Sequence, residues 1–204
     1  MGLAAILVVG WPTLIWRGTT CDGLEMPEGS YPMTPRYGAV TRLLHWLLAA
    51  LLLVLLGLGW WQSGMSLFDS RLASVSIWHK SLGVLAGLLT VVRLLWRWRE
   101  PALPAVGSRH EQQLARVVRA GLYGLVLLAA TSGYVLATGS GRALELLGGL
   151  ALPALGAMDA ALLEQVKAVH QFSVWALAAL VGLHVLAVIK HQYDGRGAVL
   201  RRML

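Results

Sequence analysis

The chain has 204 residues, 57% of them hydrophobic and only 13% charged, against roughly 45–50% and 25% in an ordinary soluble domain, which excludes a water-soluble globule. A single cysteine, Cys21, excludes a disulfide scaffold, a thiolate zinc site and covalent c-type haem attachment. The net charge of +7 would suit a nucleic-acid partner, but the basic residues flank long apolar runs, so the charge reports membrane topology and no nucleic acid is expected.

A helix crossing a hydrocarbon core of about 30 Å needs about 20 mostly apolar residues. Leu3 to Trp16 is apolar but only 14 residues long, contains Pro12 and lacks a basic leader, so it fits neither a span nor a secretion signal. Residues 1–32 are read as an N-terminal extension, with Met33 as the expected start of the native chain and a single domain over 33–204. The first expected span is 43–61, apolar apart from His45, with Trp60 and Trp61 at its far end, where amphipathic rings favour the headgroup zone. The second is 76–96, with Lys80 near one end and Arg93 near the other. The third, 120–139, and the fourth, 168–189, contain no Asp, Glu, Lys or Arg, and Lys167 and Lys190 bracket the fourth. Between these two, 140–166 is apolar in patches but interrupted by Glu145, Pro153 and Asp159. That pattern predicts an interfacial segment capping the bundle, with a fifth span as the alternative.

Continuous apolar runs of this length favour helices over the alternating strands of a barrel. The expected fold is all-α: an integral membrane four-helix bundle running up-down-up-down. One side of it carries twelve Lys and Arg and the other four, namely Arg71, Lys80, Arg142 and Lys167. The positive-inside rule then places both termini in the cytoplasm.

Of six histidines, four fall inside the spans: His45, His79, His170 and His184. An ionisable group in the apolar zone is costly and points to function. Their depths pair His45 with His184 near the cytoplasmic face and His79 with His170 near the outer face. His170 and His184 are 14 residues apart, about 21 Å along the axis and within about 40° in direction, so one face of the fourth helix serves two stacked sites. Two neutral imidazoles from facing helices suit six-coordinate iron in a porphyrin. Zinc would need a third and usually a fourth protein ligand, and no Asp, Glu or Cys lies at matching depth. Small residues leave room for a flat group: Gly83 and Gly87 follow His79, and Gly182 is close to His184.

Taken singly, each histidine reads as an ordinary buried imidazole tying helices together; four matched by depth reverse that. His110 falls in a cytoplasmic loop and reads as solvated. His191 is open between an interfacial residue and one lining a proton or quinone site. Gly121, Gly124 and Gly133 read as close-packing residues of the third helix, and the tryptophans as interfacial belt residues.

The sequence Arg-Leu-Leu-His-Trp at 42–46, Trp-His-Lys-Ser-Leu-Gly at 78–83, Val-Val-Arg-Leu-Leu-Trp-Arg at 91–97, Lys-Ala-Val-His at 167–170 and Gly-Leu-His at 182–184 resembles the bacterial cytochrome b561 family. The resemblance covers about residues 35–204. It implies a multi-pass protein of the bacterial inner membrane holding two b-type haems on His45, His79, His170 and His184, and exchanging electrons with ubiquinone. It further implies superoxide as a donor, oxidised to dioxygen while quinone is reduced. His191 matches a histidine of the family. The third helix departs from it, with Arg116 and Arg119 where histidines are expected.

Arg42, Arg93 and Arg97 are candidates for holding the cytoplasmic-side haem propionates, Arg93 and Arg97 sharing a helix face. Lys80 and Lys167 flank the outer ligands, where they would pair with propionates, attract an anion or snorkel to headgroups. Three functions compete: a self-contained superoxide-to-quinone oxidoreductase, a haem-bearing anchor for a separate dehydrogenase or hydrogenase subunit, and a haem-free His-lined transporter. Transport is the weakest, because the histidines pair at two faces and form no continuous polar path.

Overall fold

The computed structural model describes residues 36–100, 103, 107–194 and 198–204; the extension expected over 1–32 and the start expected at Met33 lie outside them. Four helices, α1 (Ala39–Ser63), α2 (Leu72–Arg99), α3 (Arg109–Thr138) and α4 (Ala160–Tyr193), are each long and apolar enough to cross a membrane. The expected spans lie within them, save that Gly139 is the C-cap of α3.

The helices outrun the apolar spans because polar residues start them beyond the hydrocarbon. Ser108 and Glu111 form a capping box at α3: Glu111 N–H donates to Ser108 Oγ (3.3 Å) and Ser108 N–H to Glu111 Oε2 (2.7 Å). Asp159 caps α4 by accepting from Leu162 N–H at 2.8 Å. The loop expected to reach residue 166 therefore ends at Asp159, which acts as a helix start rather than an interruption.

What remains of that loop is a two-stranded antiparallel hairpin, β1 (Leu144–Glu145) and β2 (Ala151–Leu152), and no fifth span occurs among the described residues. Its tip turns through Gly148 and Gly149 at φ +83° and +79°, a region open to glycine at no steric cost. Leu147 N–H donates to Ser81 Oγ of α2 at 2.9 Å, and Tyr134 of α3 donates to the Pro153 carbonyl. The hairpin thus lies against the bundle end where α2 begins and α3 stops, here the hairpin end.

The most extensive helix contacts are α3 with α4 and α1 with α2, and α2 with α3 joins the two pairs. At the opposite, terminal end, the Glu100 carboxylate closes the start of α1, accepting from Gly38 N–H at 2.7 Å and from Thr41 Oγ1, with Arg97 3.9 Å away. A carboxylate at a helix N-terminus satisfies free N–H groups and complements the macrodipole. A short α5 (Ala198–Arg201) leads the chain back across α1. Tyr37 N–H donates to Arg202 O at 3.1 Å, Trp46 Nε1–H to Met203 O at 2.8 Å, and Arg42 to the Leu204 carbonyl. Buried hydroxyls inside the spans are satisfied within their own helices: Thr90 donates to Ala86 O (2.7 Å) and Thr138 to Tyr134 O (2.9 Å).

Candidate functional site

His45 on α1 and His184 on α4 meet at the terminal end with ring centres 6.5 Å apart and planes at 77°. Two metal–imidazole bonds of about 2 Å, with about 1.1 Å from each coordinating nitrogen to its ring centre, place two imidazoles on one metal about 6.3 Å apart. The observed spacing fits a single metal between them.

At the hairpin end, His79 on α2 and His170 on α4 lie within electrostatic reach of one another. His170 Nδ1 is 3.0 Å from the Ala129 carbonyl and 3.1 Å from Ser132 Oγ, both on α3. A carbonyl only accepts, so Nδ1 carries the proton and Nε2 is left with its lone pair free for a metal. His79 Nδ1 is buried without a well-formed hydrogen bond, and the Leu55 backbone lies near the ring.

Two glycines make room for these rings. A Cβ on Gly59 would sit 3.2 Å from His79 Cε1, and one on Gly133 would sit 3.1 Å from His170 Cε1. Gly133, expected to serve helix packing, borders a histidine instead. Gly83 and Gly182 have nothing within 4 Å of where a Cβ would point, and Gly182 is exposed, whereas Gly87 serves the α2–α3 contact against Ala130.

Among the described residues no cluster of three or more His, Cys, Asp or Glu side chains could hold a metal, so a tetrahedral zinc site lacks its ligands. Paired imidazoles alone suit a metal whose other four positions come from a porphyrin.

The charged candidates separate. Arg93 lies within electrostatic reach of both His45 and His184, as Arg119 does of His184. Arg93 Nε–H donates to Tyr123 Oη at 2.9 Å. Arg93, Arg119 and Tyr123 line a cavity of about 40 Å³ together with Arg97, Tyr37 and Thr41. Arg97 also stacks on Tyr37, its guanidinium 4.8 Å from the ring centre. Arg42 is engaged by the Leu204 carbonyl. Lys80 is exposed and within reach of His79, whereas exposed Lys167 pairs with Glu164 at 3.5 Å. His191 has a buried, unpartnered Nδ1 near the end of α4, and His110 is exposed in the first turn of α3. Sequence reasoning missed Gly59, Ala129, Ser132 and Tyr123. Each acts across a helix–helix contact from a distant part of the chain, which no local pattern signals.

The sequence model of prokaryotic cytochrome b561 matches residues 36–204. The chain belongs to the prokaryotic cytochrome b561 family. The match takes in all four membrane helices and all four intramembrane histidines. Among similar proteins, cytochrome b561 homolog 2 of Escherichia coli (strain K12) is 31% identical over 179 residues, covering 86% of this chain and 95% of that protein. As a family member, this b561 is a haem b electron-transfer protein and a multi-pass protein of the bacterial inner membrane.

Proposed function

We propose that this cytochrome b561 holds two haems, one on His45 and His184 and the other on His79 and His170, and carries electrons between them across the membrane. The 6.5 Å spacing of the first imidazole pair, with a second pair at the opposite end of the same helix α4, supports this reading. Arg93 is placed to hold a propionate of the haem at the terminal end. Arg42, bound to the Leu204 carbonyl, serves that end by tethering the returning chain. The excess of basic residues at the terminal end puts it in the cytoplasm. A reporter fused after Leu204 and active only outside the cytoplasm would overturn that orientation.

The proposed reaction takes one electron from each of two superoxide anions, releasing two dioxygen molecules, and delivers both electrons with two protons to ubiquinone. Iron porphyrin supplies the one-electron chemistry when bound. The protein's residues do the rest. His170 is fixed in one tautomer by Ala129 and Ser132, and Gly59 and Gly133 admit the rings at the hairpin end. The apolar helices exclude water from the path. Lys80 offers a local positive charge for an anion at the hairpin end. His191, with its unpartnered Nδ1, is placed for a proton or hydrogen bond to quinone at the terminal end.

Pyridine haemochrome analysis should return two haems per chain, and the isolated protein should couple superoxide loss to quinone reduction. Two haems with no turnover until a dehydrogenase or hydrogenase subunit is added would assign it to the anchor class instead. Absence of b-type bands would remove both readings.

A further inference from the structure

The two histidine pairs differ in what surrounds them. At the hairpin end, His170 Nδ1–H is shared between the Ala129 carbonyl at 3.0 Å and Ser132 Oγ at 3.1 Å. Ser132 is buried, and its own proton is committed to the Leu128 carbonyl at 2.6 Å, so towards His170 its oxygen can only accept. Donation from Nδ1–H to such acceptors raises the basicity of the other ring nitrogen. A more basic axial nitrogen favours the oxidised, more positive iron. No Nδ1 of the other three histidines makes a hydrogen bond of comparable geometry among the described residues.

At the terminal end the environment works the other way. Two guanidinium groups, Arg93 and Arg119, lie within electrostatic reach of His184, and Arg93 also of His45. Neighbouring cations favour whichever state carries less positive charge, which is the reduced one. The hairpin end has a weaker counterpart: Lys167 is paired with Glu164, and Lys80 alone lies within reach of His79, one cation against two.

We propose that these residues make the two sites unequal. Ala129 and Ser132 act as positioning residues that make the His79/His170 site the harder to reduce, and Arg93 with Arg119 makes the His45/His184 site the easier. Electrons then run downhill from the hairpin end to the terminal end. The proposal rests on the two-haem reading above.

The test is potentiometric titration of the purified holoprotein followed by its visible spectrum, after haem stoichiometry has been fixed. The two waves are assigned by the one that survives in His184→Ala, which keeps the hairpin-end pair. Ser132→Ala should move the hairpin-end wave upward, making that site up to about tenfold easier to reduce, or about 59 mV for one electron, while Ser132→Thr, which keeps the hydroxyl, leaves it in place. Arg119→Gln, at an exposed position, should move the other wave downward. A hairpin-end wave that sits above the other in the unmodified protein overturns the proposal. So does a Ser132→Ala wave that stays put, or an Arg119→Gln wave that stays put or rises. Fewer than two haems per chain would overturn the two-haem reading itself, and this proposal with it.

Discussion

Gly59 and Gly133 pose the same steric question to two differently held rings, and alanine at each should give different answers. A Cβ on Gly133 meets His170 Cε1 at 3.1 Å and Nδ1 at 3.4 Å; one on Gly59 meets His79 Cε1 at 3.2 Å and Nδ1 at 3.8 Å. Non-bonded carbons prefer about 3.5–4.0 Å, so either ring must retreat by about 0.4 Å. His170 is pinned by Ala129 and Ser132, and its retreat sacrifices a hydrogen bond of about 0.5–1.5 kcal/mol on top of overpacking of about 1–3 kcal/mol. Alanine's helix preference over glycine returns about 1 kcal/mol. The net effect of Gly133→Ala is about 0.5–3.5 kcal/mol against haem at the hairpin end, the midpoint of about 2 kcal/mol being about 30-fold weaker retention. His79 has no well-formed hydrogen bond at Nδ1 to lose, so the same sum for Gly59→Ala is about 0–2 kcal/mol, smaller by the value of that bond. The assay is haem per chain after purification, with the rate of haem transfer to an excess of a scavenging protein. Equal losses from the two variants, or a larger loss from Gly59→Ala, would refute the claim that His170 is the more tightly held ring.

Alanine at His45 or His184 should leave one haem per chain, as should alanine at His79 or His170, with complementary spectra; loss of both from every single variant would argue against separate sites. Glu100→Gln removes the charge that closes the start of α1 and should cost about 1–2 kcal/mol, read as a lower Tm in detergent, and an unchanged Tm would show the cap to be dispensable. Lys80→Glu should slow superoxide-driven quinone reduction several-fold and flatten its dependence on ionic strength. Rates that match the unmodified protein at every salt concentration would remove Lys80 from anion capture.

The spans were legible because hydrocarbon sets a length and composition that few other sequences satisfy, and the histidines because titratable groups are so rare inside them. Depth along a helix is nearly linear in residue number, so the meeting of His45 with His184 could be anticipated from spacing alone. Lateral neighbours could not. Nothing near Ser132 announces that its hydroxyl faces His170, 38 residues away, and a serine bonded to its own helix backbone reads the same with or without that partner. Asp159 was misread for a related reason. An acidic residue among leucines looks like an interruption, whereas its bond to Leu162 N–H makes it a beginning. Glu100 likewise carries no local sign that its carboxylate meets Gly38 N–H, 62 residues away.

The pairing of helices also bears on biogenesis. The dominant contacts join α1 to α2 and α3 to α4, so each half can zip together as it leaves the ribosome, the first half clasped by Glu100 before the second is synthesised. Each proposed iron draws one imidazole from either half, His45 with His184 and His79 with His170, and would rivet the two hairpins together. Two co-produced fragments divided between α2 and α3 should therefore reassemble in the bilayer, and do so best when haem is plentiful.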